Sequence, residues 1–109
     1  MPESNDRGAL TEATFLILLA LTTPMHGYGV MQTVSDITNE RVQLGAGTLY
    51  GALNLLLDKA WIKTMPGSEK DRKQEYALTE AGHAAVCQET LRLQELLALS
   101  KQYAGGNAR

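Results

Sequence analysis

The chain has 109 residues and a formal net charge of −2, with 44% hydrophobic and 20% charged residues. This is the size and mixture of one globular domain, which argues against wholesale disorder. A single cysteine excludes an internal disulfide framework, and the longest apolar run, residues 15–21, is far shorter than the roughly 20 residues of a membrane helix. Residues 1–8 lack the features of an export signal and predict a flexible arm, so we expect a cytoplasmic protein with a free thiol.

Charge is distributed unevenly along the chain. Residues 1–40 hold one cation and five acids, whereas residues 41–79 hold six cations and four acids. An anionic partner would therefore meet the protein in its middle third. A normal solvated surface is the alternative interpretation of so small an excess.

Two helices are predicted before residue 40. The first, over residues 10–21, is apolar nearly all round and so needs partners on two sides. Pro24 ends it, and a second helix follows over about 26–38. Gly27 and Gly29 near its start indicate close approach of another backbone. Residues 42–44 then alternate in polarity, which is compatible with one rung of strand.

A third helix is predicted over residues 46–60, with Gly45 as its N-cap. One face carries leucines, and the opposite face carries small or hydrogen-bonding groups. The apolar face comprises Leu49, Leu53, Leu56, Leu57 and Ala60, and the opposite face comprises Gly47, Thr48, Gly51, Asn54, Leu55 and Asp58. Tyr50 falls at the border, where we expect its ring along the core and its hydroxyl in water.

A hairpin and a long helix complete the chain. Residues 61–65 and 74–78 predict two strands joined by a basic loop that begins at Pro66. Thr79 can cap a final helix that ends near Tyr103. At roughly 24 residues this helix would span about 36 Å, longer than a compact domain of this size can cover. Its surplus apolar surface predicts a partner, most simply a second copy of the chain.

The order of elements predicts a mainly α fold with a small β-hairpin, a winged helix-turn-helix with a long C-terminal dimerisation helix. We divide the chain into a flexible arm (1–8), a DNA-binding domain (9–79), the dimerisation helix (80–104) and a flexible tail (105–109). In this layout the third helix enters the DNA major groove and the hairpin is the wing. The predicted dimer interface comprises Phe15, Leu18, Leu93, Leu96, Leu97 and Tyr103.

The residue types fit contacts with double-stranded DNA. Asn can bond adenine bidentately, Thr can bond bases, and small groups let a helix lie close to base edges. Cations on the wing suit phosphates. The candidate DNA-binding residues are Thr48, Tyr50, Gly51, Asn54, Lys70, Arg72 and Lys73. The alternative is an ordinary packed helix with solvated wing charges.

Three stretches resemble the PadR family of bacterial transcriptional regulators in its short form. His26, Gly27 and Tyr28 after Pro24 are similar to the family's P-x-H-G-Y. Residues 47–53, continuing to Trp61 and Ile62, resemble its G-T-L-Y-x-x-L recognition helix. Residues 76–82 resemble its Y-x-L-T-x-x-G. The three occur in the right order and together cover residues 10–83.

The resemblance implies a homodimeric repressor whose last helix pairs with the first helix region of its partner. It also implies release from DNA by a small aromatic or amphipathic molecule or another signal. An apolar cleft between subunits, lined by Phe15, Leu93 and Leu97, is the candidate ligand pocket, with a filled dimer core as the alternative. Ala60 replaces the family's usual glycine, so the third helix is expected to stop without its left-handed residue. Basic residues that many members carry in the recognition helix are also absent.

Other functions have weaker support. No catalytic triad, paired-carboxylate or phosphate-loop arrangement occurs, so we expect no enzyme and no cofactor. His83 and Cys87 lie four residues apart on one helix face, but two ligands are too few for a closed zinc site, and we expect no metal. A winged-helix module that binds a protein instead of DNA remains the second hypothesis, because the third helix is poorly basic.

Overall fold

The computed structural model describes residues 8–66 and 73–105, and it confirms the predicted fold class. Four helices surround a small antiparallel sheet in this part of the chain. In order, the elements are α1 (Glu12–Ala20), β1 (Met25–His26), α2 (Gly27–Ile37), α3 (Ala46–Asp58), β2 (Ile62–Met65), β3 (Glu75–Leu78) and α4 (Glu80–Ala104). None of the described helices is both long and apolar enough to cross a membrane. The predicted arm, wing tip and tail lie largely outside the described residues.

The sheet has the strand order β1-β3-β2. The predicted β2–β3 hairpin is present, but the third strand is not the one that alternation suggested. Met25 pairs with Tyr76 and His26 with Glu75, whereas residues 42–44 form no strand. Val42 and Leu44 are half-buried against the core. Their alternation therefore reflects packing of a loop, not a hydrogen-bonded ladder.

A single apolar core joins the first three helices to the sheet. Its fully buried side chains are Ile17, Leu18, Leu21, Val30, Val34, Leu49, Leu53 and Ile62. Because Leu18 is 0% exposed within one chain, its side chain is not available to a second copy. The structure thus corrects the assignment of Leu18 to the dimer interface and places it in the core.

Threonine side chains cap the first and last helices. Thr79 Oγ1 accepts a hydrogen bond from the N–H of Gly82 at 3.0 Å, which confirms the predicted cap of α4. Thr11 Oγ1 accepts a hydrogen bond from the N–H of Thr14 at 3.1 Å and caps α1. The helix therefore begins at Glu12, two residues later than predicted. Leu10, which was predicted to begin the helix, lies before its N-cap, and its N–H donates a hydrogen bond to Glu89 Oε2.

Ala60 corrects the expectation that α3 ends without a left-handed residue. Its φ is 62°, in the region that glycine normally occupies. The N–H of Ala60 bonds to the carbonyl of Leu57, and the N–H of Trp61 to that of Leu56. The chain therefore forms at Ala60 a left-handed helix end that glycine favours and that an alanine side chain disfavours.

Replacing Ala60 by glycine is expected to stabilise the protein by about 1 kcal/mol. The substitution relieves the contact between Cβ and the backbone that makes positive φ unfavourable for an L-residue. Chemical denaturation in urea measures the change. Ala84→Gly, at an exposed position inside α4, is the matched control and is expected to destabilise by roughly 0.5–1 kcal/mol. Equal destabilisation by both would contradict the strain at residue 60.

Candidate nucleic-acid interface

Helix α3 presents the polar face that the sequence predicted. Leu49, Leu53 and Leu56 are buried against the core and hold the helix. The opposite face is open: Gly47, Thr48, Gly51 and Asn54 are all exposed. Beyond the helix's own backbone, no described atom lies within 4 Å of where a Cβ would stand at Gly47 or Gly51. This exposed face, which we call the α3 outer face, is shallow enough for another backbone or a base edge to approach closely.

The α3 outer face carries hydrogen-bonding groups without positive charge. No lysine or arginine occurs between residues 46 and 58, and Asp58 is exposed near the end of the helix. The next cation, Lys59, lies with its Nζ 5.0 Å from the centre of the Trp61 ring, a cation–π distance. Contacts to phosphates would therefore come from other elements.

The hairpin supplies exposed cations beside α3. Lys63 in β2 and Lys73 before β3 are both exposed. Lys70 and Arg72 lie outside the described residues. Gln74 Nε2 donates to the carbonyl of Met65 at 2.9 Å, which closes the base of the wing. Sequence reasoning missed Lys63. The Lys63 side chain points outward because successive side chains of a strand alternate between the two faces, and the preceding Ile62, which pairs with Leu78, is buried.

Tyr50 lies at the border position that the helical wheel predicted, and its ring contacts a residue of α2. It is 43% exposed, at the edge of the α3 outer face. Its hydroxyl also lies against Gly27, the first residue of α2. A Cβ built on Gly27 would stand 2.4 Å from the Tyr50 hydroxyl oxygen. Gly27 therefore allows the close approach that its residue type predicted, and the approaching group is an aromatic side chain instead of a backbone.

An ion pair ties the loop before α3 to α1. Arg41 donates to the carboxylate of Glu12 through both terminal nitrogens of its guanidinium. The hydrogen bond from Arg41 lowers the pKa of the Glu12 carboxyl below its ordinary value. Both side chains are exposed, so this pair contributes little stability on its own. The pair does engage the guanidinium of Arg41, a cation that lies close to α3 in the sequence.

An apolar groove runs between α1 and α4. It has a volume of about 390 Å³ and is lined by Phe15, Leu19, Thr90, Leu93, Gln94 and Leu97. Phe15, Leu93 and Leu97, the predicted pocket residues, are thus brought together. Leu96 and Tyr103 are also exposed, at 47% and 79%, on the C-terminal half of α4. We call the groove and these two side chains the α1–α4 surface.

One buried carboxylate was not predicted. Glu89 is 4% exposed and accepts hydrogen bonds from Arg92 Nε at 2.9 Å and from the N–H of Leu10. The bonds from Arg92 lower the pKa of the Glu89 carboxyl despite its burial. The Glu–Arg spacing of three residues was visible in the sequence, but its tether to Leu10 joins positions 79 apart.

His83 and Cys87 do approach each other, with 3.9 Å between Nδ1 and Sγ. Within residues 8–66 and 73–105, however, no group of three or more potential ligands is arranged to hold a metal ion. The pair therefore stays an exposed side-chain contact on α4.

Three helices, the third with an exposed polar face, and a hairpin with exposed lysines together define a winged-helix DNA-binding regulator. A family model described as the transcriptional regulator PadR-like family matches residues 16–88. The chain belongs to this family, whose members are non-enzymatic DNA-binding regulators of transcription.

Similar proteins are found among solved structures and curated sequences. A PadR family transcription regulator from Clostridium difficile R20291 superimposes with a TM-score of 0.71 at 20% identity, over 86% of this chain and 99% of that one. A transcriptional regulator from Clostridium thermocellum has a TM-score of 0.68 at 23% identity, over 90% and 93%. At these identities the likeness concerns the fold.

A curated relative from Streptomyces fradiae, named as an uncharacterized 37.1 kDa protein in transposon TN4556, is 39% identical over 72 residues. The match covers 65% of this chain and 20% of that protein. The chain therefore spans about a fifth of that relative's length.

Proposed function

We propose that the protein is a homodimeric repressor that binds an inverted-repeat operator. The observation that carries the proposal is the α3 outer face, which a winged-helix regulator presents to the major groove. The helix predicted over 46–60 would read bases, and the wing over 66–75 would contact the DNA backbone. In a symmetric dimer, two such helices would enter successive grooves about 34–36 Å apart.

Base recognition is assigned to two side chains of the α3 outer face. Asn54 carries an amide that can bond an adenine edge in two places, and the Thr48 hydroxyl can bond a base or touch a thymine methyl. Gly47 and Gly51 leave room between them for the groove. Because neither contact is ionic, base choice would be set by hydrogen bonds in a helix seated close to the DNA.

Phosphate contacts are assigned to the wing. Lys73, together with Lys70 and Arg72 of the loop, supplies the charge, and the structure adds Lys63 as a candidate. With few phosphate contacts per subunit, binding is expected to weaken with salt, but less steeply than for a strongly basic protein.

A second copy of the chain is the proposed occupant of the α1–α4 surface. The groove is almost entirely apolar, and leucines stay exposed along the C-terminal half of α4. Pairing this half with α1 of a partner would remove both apolar surfaces from water. The predicted interface then reduces to Phe15, Leu93, Leu96, Leu97 and Tyr103, without Leu18.

The same groove is the candidate site for a small aromatic effector. Phe15, Leu93 and Leu97 would contact a flat ligand, whose binding would shift the two recognition helices and release DNA. A filled dimer core is the competing arrangement. Titration with aromatic compounds, followed by Trp61 fluorescence and by release of labelled DNA, tests for the effector, and null titrations would count against it.

Asn54→Ala and Lys73→Ala are expected to weaken DNA binding in different ways. Loss of the amide should cost about 1–3 kcal/mol at one base pair and relax the choice there. Loss of the lysine should lower affinity for all sequences alike and reduce the salt slope by roughly one. Affinities of both variants for the operator and for single-base variants of it, over a salt series, decide this. Unchanged affinities for both would overturn the assignment of the interface.

The experiment that tests the whole proposal is fluorescence anisotropy with DNA from upstream of the protein's own gene. Scrambled DNA of the same length is the control, and both are measured over a salt series. Selective binding that weakens with salt supports the repressor. Equal weak binding to both would count against an operator at this location.

One observation favours a second function, a winged-helix module that binds a protein. The α3 outer face lacks cations, and Leu55 on it is 58% exposed. Leu55 lines a small hollow with Leu10, Thr14 and Trp61, where an apolar side chain of a partner could insert. A stable complex with another protein, together with no retention on any DNA, would favour this function over the first.

A further inference from the structure

The contact between Gly27 and Tyr50 joins the two helices of the helix-turn-helix. A Cβ on Gly27 would stand 2.4, 2.7 and 3.0 Å from the hydroxyl oxygen, Cζ and Cε1 of Tyr50. These distances are shorter than atoms in van der Waals contact tolerate, so any side chain at residue 27 would displace the ring. The ring of Tyr50 therefore occupies the space that the missing side chain leaves.

The three-stranded sheet lies next to the contact between Gly27 and Tyr50. Gly27 directly follows β1, whose Met25 pairs with Tyr76 of β3. Tyr76 is 9% exposed, and both its burial and the neighbouring phenol of Tyr50 raise the pKa of Tyr76. Tyr50 on α3 and Gly27 on α2 thus meet beside the β1–β3 pairing, where Tyr76 of β3 is close enough to feel the Tyr50 phenol. We call these three residues the aromatic junction.

We propose that Tyr50 is a positioning residue for DNA recognition, whose ring, seated on Gly27, sets the orientation of α3 against α2 and the wing. The inference rests on the proposed function, because it concerns how the α3 outer face is aimed at DNA. Asn54 lies one helical turn after Tyr50, and Thr48 lies two residues before it. A rotation of α3 about its axis at the junction would move both side chains away from their base edges.

The direction of the hydroxyl separates positioning from direct base reading. A base-reading tyrosine would use its hydroxyl, whereas here that oxygen faces Gly27. The ring atoms Cζ and Cε1 also contact Gly27, so a phenylalanine would keep most of the packing. A positioning role consequently predicts that Tyr50→Phe loses much less DNA affinity than Tyr50→Leu, because only the second variant removes the ring.

The test uses matched variants of the full chain. Gly27→Ala places a methyl group against the Tyr50 ring. Gly29→Ala, on the same helix, is the control, because its nearest neighbours are side-chain atoms of Met25 at 3.4 Å or more, an ordinary contact distance. Tyr50→Phe and Tyr50→Leu separate the hydroxyl from the ring. The double variant Gly27→Ala/Tyr50→Leu closes a thermodynamic cycle. Anisotropy with operator and scrambled DNA is measured at a temperature where circular dichroism shows each variant folded.

We expect Gly27→Ala and Tyr50→Leu each to lose about tenfold or more in operator affinity, as a misaimed helix loses its base contacts. Both should lose less on scrambled DNA, which a stability defect alone would not produce. Gly29→Ala should keep wild-type affinity, and Tyr50→Phe should lose much less affinity than Tyr50→Leu. The double variant should bind like Tyr50→Leu alone, because the methyl group no longer meets a ring.

Three results would overturn the positioning role: wild-type binding by Gly27→Ala, additive losses in the double variant, or a loss by Tyr50→Phe as large as that by Tyr50→Leu. If Gly27→Ala does not fold, the comparison of Tyr50→Phe with Tyr50→Leu still decides. Failure of the proposed function is a separate observation, since it would appear as equal binding of operator and scrambled DNA by the wild type. In that case the positioning role also fails, because there is no DNA-reading helix to position. Urea unfolding of Gly27→Ala, Tyr50→Leu and the double variant would then measure only how much the contact between the two residues stabilises the fold.

Discussion

Gly82→Ala is expected to destabilise the protein by about 3 kcal/mol, at the upper end of the cost of overpacking. A Cβ at this position would stand 2.0 Å from the carbonyl oxygen of Trp61 and 2.9 Å from Leu78 Cδ1. The Leu78 side chain could turn away, but the carbonyl belongs to the backbone. It also accepts a hydrogen bond from the N–H of Thr79 at 3.0 Å. Relief of the overlap would therefore break a bond that fixes the start of α4.

The same crowding explains how α4 is attached to the DNA-binding unit. Thr79 Oγ1 donates to the carbonyl of Ala60 at 2.7 Å while it accepts from the N–H of Gly82. The first turn of α4 thus lies directly on the turn that follows α3. Only a glycine at residue 82 lets these two backbones come so close.

Urea denaturation of Gly82→Ala measures the effect, and Gly51→Ala is the matched control. Gly51 also lies inside a helix, but its Cβ would meet nothing within 4 Å. Gly51→Ala is therefore expected to stabilise the fold by roughly 0.5–1 kcal/mol. A stability for Gly82→Ala equal to that of the wild type would show that α4 is not held as closely as the structure has it.

Leu97→Glu is expected to convert the proposed dimer into a monomer and to abolish tight operator binding. Leu97 lines the α1–α4 groove and is 55% exposed in the single chain. A carboxylate there would be buried by the partner without a matching charge in the groove lining. We expect the dimer dissociation constant to rise about a hundredfold or more, which corresponds to about 2.7 kcal/mol.

Sedimentation over a range of concentrations measures the change in mass, and anisotropy measures the effect on DNA. Ile37→Glu is the control, because Ile37 is 54% exposed but lies at the end of α2, outside the α1–α4 surface. It should leave the mass unchanged. A dimer as stable in Leu97→Glu as in the wild type would remove the α1–α4 surface from the proposed interface.

Much of the fold follows from local patterns. The two faces of α3 up to Asp58, the cap at Thr79 and the β2–β3 hairpin were predicted correctly, because helix and strand periods decide which side chains share a face. Ala60, which was placed on the apolar face, is exposed and lies beyond the end of the helix. Of the candidate site, the exposure of Thr48, Gly51 and Asn54 followed from the same argument. Phe15, Leu93 and Leu97, predicted to line a cleft between subunits, lie along one groove of a single chain, and their role as an interface or a ligand pocket stays a prediction.

Other features depend on neighbours that periodicity does not identify. β1 has two residues and no strand signal of its own, and it exists because β3 pairs with it. The apolar all-round pattern of α1 left it open which side faces a partner, and Leu18 fell on the core side. A helical wheel places Tyr50 at a border but does not show that Gly27 receives its ring.

The sequence by itself therefore determined the class of fold, the order of its elements and the polar face of the third helix, since these depend on residue spacing within one element. Tertiary structure decided the third strand, the left-handed conformation of Ala60, the tether from Glu89 to Leu10 and the place of the Tyr50 ring. The strand, the tether and the ring depend on distances between atoms far apart in the chain, and the carbonyl of Ala60 accepts a hydrogen bond from the Thr79 hydroxyl, 19 residues later. Close packing sets such distances, and no pattern within a single element contains them.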